Sequence, residues 1–239
     1  GILGWSSPLW TTAAPILGLV FLLATVGFLI WDLEHPKRFF MVLTRPQWKS
    51  WLVRGGFALT AYGAVLAGHL LLMQTGRGAT TPALAWIFSN VAVISEIYTA
   101  FLFQQSKARD LWQNPLLAPH LLVQAILAGS GVLLIVAPLF GTGETVGEPL
   151  AWVFCVSSVL HLFMVLAEAA SLTPTAHARL AHHEMIGGRF KAWFWAGVAL
   201  TAVGAAIPWI GPAAAGAGLI GLFLFEHAYV QAGQSPPLA

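Results

Sequence analysis

Charge is scarce in this chain. Asp, Glu, Lys and Arg make up 8% of the 239 residues and hydrophobic types 58%, the balance of a membrane protein rather than of a soluble core. Cysteine is almost absent as well. The single cysteine, Cys155, leaves no disulfide framework, no cysteine-ligated iron–sulfur cluster and no thiolate zinc site within the chain, so any redox cluster belongs to another subunit. A net charge of +2 says little about partners, and nothing points to nucleic acid. The start also lacks features. Gly1 is not an initiator methionine, and no basic residue precedes Lys37 to form the charged n-region of a signal peptide. The expectation is that residues lie upstream of Gly1.

What the chain has in abundance is long apolar runs. Seven stretches, at about 11–31, 51–73, 83–103, 119–140, 150–171, 191–209 and 211–228, are each long and apolar enough to cross a bilayer, since about 20 residues of helix span ~30 Å of hydrocarbon. An all-α, polytopic integral membrane bundle is expected, forming one transmembrane domain over residues 1–239. Of the 11 Lys and Arg, 10 fall on one side of that topology and only Arg77 on the other. The positive-inside bias therefore places segments 32–50, 104–119 and 173–189, and the C-terminus, in the cytoplasm.

Local signals mark the connections. Pro36 and Pro46 interrupt the loop after the first span, and Ser50 is positioned to cap the second. Thr173-Pro174 reads as an N-cap followed by proline, opening a short helix that ends at Gly187-Gly188. Ile210-Gly211-Pro212 makes a tight turn between the last two spans. Most of the 11 tryptophans suit the interfacial aromatic belt.

Ionisable groups at bilayer depth cost a few kcal/mol each on insertion scales, so they face a bundle interior or a cavity and are functional candidates. Glu96, past the middle of the third span, shares a helical face with Ser89 and Thr99 and has Tyr98 nearby. His161, in the fifth span, is flanked on its face by Ser157 and Glu168. His69 lies in the outward part of the second span. These residues suggest an internal polar track. His120 (with Gln124 on its face), Glu168, Glu226 and His227 lie near cytoplasmic ends, where snorkelling to the interface is the plainer reading. His177, His182 and His183 do not share one helix face and read as a solvated helix, so no metal site is expected. A bis-histidine haem between His69 and His161 is disfavoured, because their depths differ by roughly 10 Å at 1.5 Å per residue.

The loop DLEHPKRFFMVLTRPQWKSWLVRGGF (32–57) resembles the NrfD family, membrane subunits typified by polysulfide reductase, in its Asp-Leu-x-x-Pro-x-Arg-Phe and Arg-Pro-x-x-x-Ser-Trp elements. The segments EIYTAFLFQQSKARDLWQNPLLAPH (96–120) and HARLAHHEMIGGRFKAWFWAGVAL (177–200) are also similar to that family. The resemblance implies eight or more helices in two four-helix bundles, with the first helix preceding Gly1. It also implies an anchor in a bacterial inner membrane, without haem or clusters of its own. Such an anchor binds menaquinone or ubiquinone beside an iron–sulfur subunit, which links to a molybdopterin-type catalytic subunit. On that reading Glu96, His161 and Glu168 are the candidate catalytic, proton-transferring residues, while His69 and Tyr98 are the candidate quinone-binding ones. The headgroup is expected near His69, toward the outer side. The residues leave two rivals open: a proton or small-solute carrier using the same track, and an anchor containing haem b.

Overall fold

A computed structural model describes residues 7–75, 82–140, 144–170 and 175–237, with side chains withheld over 82–85 and 144–146. The expected Thr173-Pro174 cap lies outside the described residues. Ten α-helices occur among those described: α1 (Ala14–Trp31), α2 (Phe40–Thr44), α3 (Trp51–Gln74), α4 (Pro82–Gln104), α5 (Leu117–Val136), α6 (Glu144–Ala170), α7 (Ala176–Ile186), α8 (Lys191–Ala205), α9 (Ile207–Ile210) and α10 (Ala213–Gln234). No strand occurs among the described residues. The all-helical, multi-pass membrane architecture expected from composition is the one found.

Among the described residues, six helical stretches are long and apolar enough to span a membrane. The seventh expected span, 191–209, is broken into α8 and α9. Pro208 has no N–H and its ring crowds the carbonyl four residues back, which favours a break at this point, and the helix stops at Ala205 and restarts at Ile207. The 15 residues of α8 then reach only about 22 Å. The fifth span starts earlier than expected: α6 begins at Glu144 and carries Pro149 inside its early turns. Ser50 occupies the N-cap of α3 with extended backbone but makes no side-chain capping bond there. Thr175 caps α7 instead, its hydroxyl accepting from the Ala178 N–H at 3.1 Å. The tight turn after α9 is as expected, and it needs glycine, because Gly211 has φ +91°.

The chain divides into two compact units, Gly1–Leu102 and Phe103–Ala239. In the first, α1 and α4 pack against α3 through large side chains. Trp51 stacks on Phe101 at 4.3 Å, and Tyr98 lies over Gly55, where a Cβ would come within 2.1 Å of its ring. In the second, α8 and α10 meet through small residues. A Cβ on Gly221 would sit 2.5 Å from the Thr201 nitrogen, and one on Gly204 would sit 2.6 Å from the Gly218 Cα. Small-residue contacts of this kind let helix backbones approach closely where lipid removes the hydrophobic drive to associate. α5 and α6 pack beside that pair, and Phe154 of α6, fully buried, reaches Gly131, Gly204 and Gly218.

Candidate functional site: a buried histidine–carboxylate chain

In the second unit four polar side chains form one connected chain. His120, in the first turn of α5, and His161 of α6 are 2% and 1% exposed. Their rings join directly, His120 Nε2 to His161 Nδ1 at 2.9 Å. The other His120 nitrogen, Nδ1, faces Glu168 Oε1 at 3.5 Å. Asn114 Nδ2 donates to the same Glu168 oxygen at 2.9 Å. The direction of that amide is set locally, because the Leu116 N–H donates to Asn114 Oδ1 at 2.9 Å and so turns the NH₂ toward the carboxylate.

The chain has a defined reach. His161 and Glu168 are seven residues apart on α6, so the connected groups cover about 10 Å of helix axis. Phe225 of α10 covers both rings, edge-on to His161 at 4.9 Å between centroids and tilted to His120 at 5.6 Å. Beside His120 a second pair forms, Gln124 hydrogen-bonding the Glu226 carboxyl. A cavity bordered by His120, Gln124, Glu226 and Tyr229 has room for about one water molecule. Tyr229 donates its hydroxyl to the Leu111 carbonyl at 3.2 Å, which ties α10 to the segment before α5.

An imidazole can accept a proton on one nitrogen while releasing one from the other, so a carboxyl–imidazole–imidazole series can pass a proton by successive hydrogen bonds. Burial and the Phe225 cover keep bulk water away from it. Expected site residues His161 and Glu168 are brought together here. His120, Glu168 and Glu226, for which snorkelling to the interface was the plainer reading of the sequence, belong to the same cluster with Gln124, and Asn114 carries no sequence signal of its own. The available signals were the shared faces of His120 with Gln124 and of His161 with Glu168. What no helical spacing could supply was that the two faces meet.

The first unit separates its candidates. Tyr98 packs on Gly55, whereas His69 lies 14 residues further along α3, about 21 Å at 1.5 Å per residue. The two cannot hold one headgroup, so their expected pairing as quinone ligands is corrected. His69 is buried, with Nε2 3.2 Å from the Thr11 carbonyl and its ring edge-on to Phe88. A carbonyl only accepts, so Nε2 carries the hydrogen, and Nδ1 of the neutral ring is an acceptor. Glu96 lies within electrostatic reach of the Tyr62 and Tyr98 phenols. Tyr62 was not anticipated.

Outside the spans, α7 holds His182 half-buried, its Nε2 without a hydrogen-bond partner. Burial and, less strongly, neighbouring His183 hold its pKa below the usual imidazole value of 6.5. The expectation of a fully solvated histidine helix is corrected at this residue. Among the described residues no three His, Cys, Asp or Glu groups converge as metal ligands would.

The model of the family described as polysulphide reductase, NrfD, matches residues 7–215. The chain belongs to the NrfD family. Among curated proteins, it is 24% identical over 209 residues to a putative dimethyl sulfoxide reductase membrane subunit of Halobacterium salinarum (strain ATCC 700922 / JCM 11081 / NRC-1), an alignment covering 74% of this chain and 47% of the relative. The chain therefore spans about half the length of the curated relative it matches. The NrfD match runs through the segments that supply Asn114, His120, His161 and Glu168, so the buried chain lies wholly within the family region.

Proposed function

We propose that this NrfD chain is the quinone-reacting membrane subunit of a respiratory oxidoreductase in a bacterial inner membrane. It exchanges electrons between the quinone pool and an iron–sulfur partner, which is joined to a molybdopterin-type catalytic subunit. Family membership and the likeness to a reductase membrane subunit support the complex. The observation that carries the proton part of the reading is the His161–His120–Glu168 chain held by Asn114.

A quinone supplies two-electron, two-proton chemistry when bound. The residues of the first unit fit one end of it: His69, its Nε2–H held by the Thr11 carbonyl, offers an acceptor nitrogen suited to a hydroxyl. Tyr98 serves elsewhere, with Glu96 and Tyr62, as a second polar group on the way to the cytoplasmic side. In the second unit Glu168 exchanges protons with the surface, His120 relays them, and His161 holds the inner end.

The test uses the intact complex in nanodiscs with decylubiquinol. Glu168→Gln should leave the subunits assembled and slow turnover about 100-fold, the lower end of the usual weight of a positioned proton-transfer group. Full turnover with normal assembly would make the chain of groups structural. The rivals separate in the same preparation. A b-type absorption band assigned to this subunit would favour the haem anchor, and purification without any iron–sulfur partner would favour the carrier.

A further inference from the structure

A large cavity in the second unit lies at the opposite end of α6 from the histidine chain. Glu148 lies 20 residues before Glu168, about 30 Å along the helix. The cavity holds about 670 Å³ and is bordered by the end of α5, the early turns of α6 and the α9 turn, within the size range of small-molecule sites. Its wall is mainly apolar, with Leu134 and Pro208 among its residues, and two indoles border it. Trp152 and Trp209 stand edge to face at 5.8 Å and 80°. Among the described residues along it, Glu148, exposed, is the sole ionisable one, and no Lys or Arg contributes. A second groove of about 350 Å³ shares Trp152 and continues down the α5–α6 surface past Val156 to Leu160, presenting only apolar atoms.

We infer that this groove, built wholly from the second unit, binds a neutral, hydroxylated aromatic ring carrying an apolar tail, a quinol. The inference rests on the quinone-pool reading above and adds a second place of contact. The chemistry selects the occupant. An anionic phospholipid headgroup, such as that of phosphatidylglycerol, brings a phosphate, which finds no cation among the described lining residues and is repelled by the Glu148 carboxylate. A quinol brings hydroxyl donors, which a carboxylate accepts with charge-assisted hydrogen bonds. The indole faces match the ring by stacking, and the apolar groove past Trp152 matches the tail. An oxidised quinone, having no donor, gains nothing from Glu148, so the site favours the reduced form.

The experiment is photolabelling of the intact complex in nanodiscs with an azido-decylbenzoquinone, followed by peptide mapping. Label should appear in residues 147–152 or 207–212. Excess decylubiquinol should suppress it about tenfold more effectively than decylubiquinone or phosphatidylglycerol does. Glu148→Gln should raise the decylubiquinol needed for half-suppression about tenfold, the weight of one hydrogen bond to a charged group. Ala151→Trp, which fills the cavity, should abolish this label and spare label elsewhere. Equal suppression by phosphatidylglycerol would make this a lipid groove and overturn the inference. So would an unchanged half-suppression in Glu148→Gln. Label confined to other segments of a complex that oxidises decylubiquinol would overturn the groove alone. A complex with neither label nor quinol oxidation would overturn the quinone reading with it.

Discussion

The two units solve the same problem, polar groups inside an apolar bundle, in different ways. In the first, α3 and α4 meet through rings: Trp51 on Phe101, Phe88 on His69, Tyr98 on Gly55. In the second, Gly197, Gly204, Gly218 and Gly221 bring the α8 and α10 backbones together. Span windows are 11–22% buried in the first unit and 33–44% in the second, so the second encloses its polar groups with its own helices. There the groups touch in series. In the first they lie strung along α3 and α4, His69 beside the Thr11 carbonyl and Tyr98 on Gly55. Beside the close-packed α8–α10 pair, His120 of α5 meets His161 of α6 under the ring of Phe225 of α10.

The largest effect should come from the close contact itself. Gly221→Ala drives a Cβ into the Thr201 and Gly197 backbones, which cannot yield, and should cost about 3 kcal/mol or more. Gly55→Ala meets first the Tyr98 ring, a side chain rather than a backbone, and should cost less, about 1 kcal/mol. Steric-trap or denaturant unfolding in bicelles reads both. Equal losses would break the contrast between the units.

Next in size is the contrast in proton transfer. His120→Leu removes the middle of the series and should lower quinol-linked turnover about 100-fold with normal assembly, and Glu96→Gln in the first unit about tenfold. Proteoliposome turnover in H₂O and D₂O checks the ranking. A larger loss for Glu96→Gln would move the main proton route to the first unit.

The smallest expected effect lies in α7. His182 has a folded pKa below its unfolded value near 6.5, so its neutral form favours the docked helix. That contribution is fully present above pH ~6.5 and is lost as pH falls through the lower, folded value. Hydrogen exchange of residues 176–186, corrected for intrinsic rates, should therefore quicken between about pH 7.5 and pH 5.5. His182→Phe should flatten the dependence, and an equally steep response in that variant would assign it to another group.

Much of the architecture was legible because lipid imposes length and apolarity on a span, and both are written in composition. The exception was residues 191–209, where apolarity outlasted the helix: Pro208 decided the backbone, and hydropathy does not register a missing N–H. For the polar groups, helical spacing put His161 and Glu168 on one face, and His120 and Gln124 on another. Reading His120 as interfacial failed because depth was judged from the end of its own helix, while the cover comes from Phe225 of α10, over a hundred residues away. Tyr98 and His69 failed in the opposite sense. Both were deep and polar, yet an antiparallel helix pair separates residues by position along the axis, and that separation was computable once Gly55 was known to face Tyr98.

The segment before α5 grips the end of α10 at three points. Arg109 Nη1 donates to the Gln234 and Pro236 carbonyls at 2.9 and 2.8 Å, Tyr229 donates to the Leu111 carbonyl at 3.2 Å, and Trp112 lies over Gly233. In each case one partner is main chain or has no side chain. Natural variation could therefore change the residues at 111, 234 and 236 freely without disturbing the attachment. Pairwise covariation across relatives would then leave this junction nearly silent, and a contact map built from such statistics would show the helix end hanging loose where the molecule holds it fast.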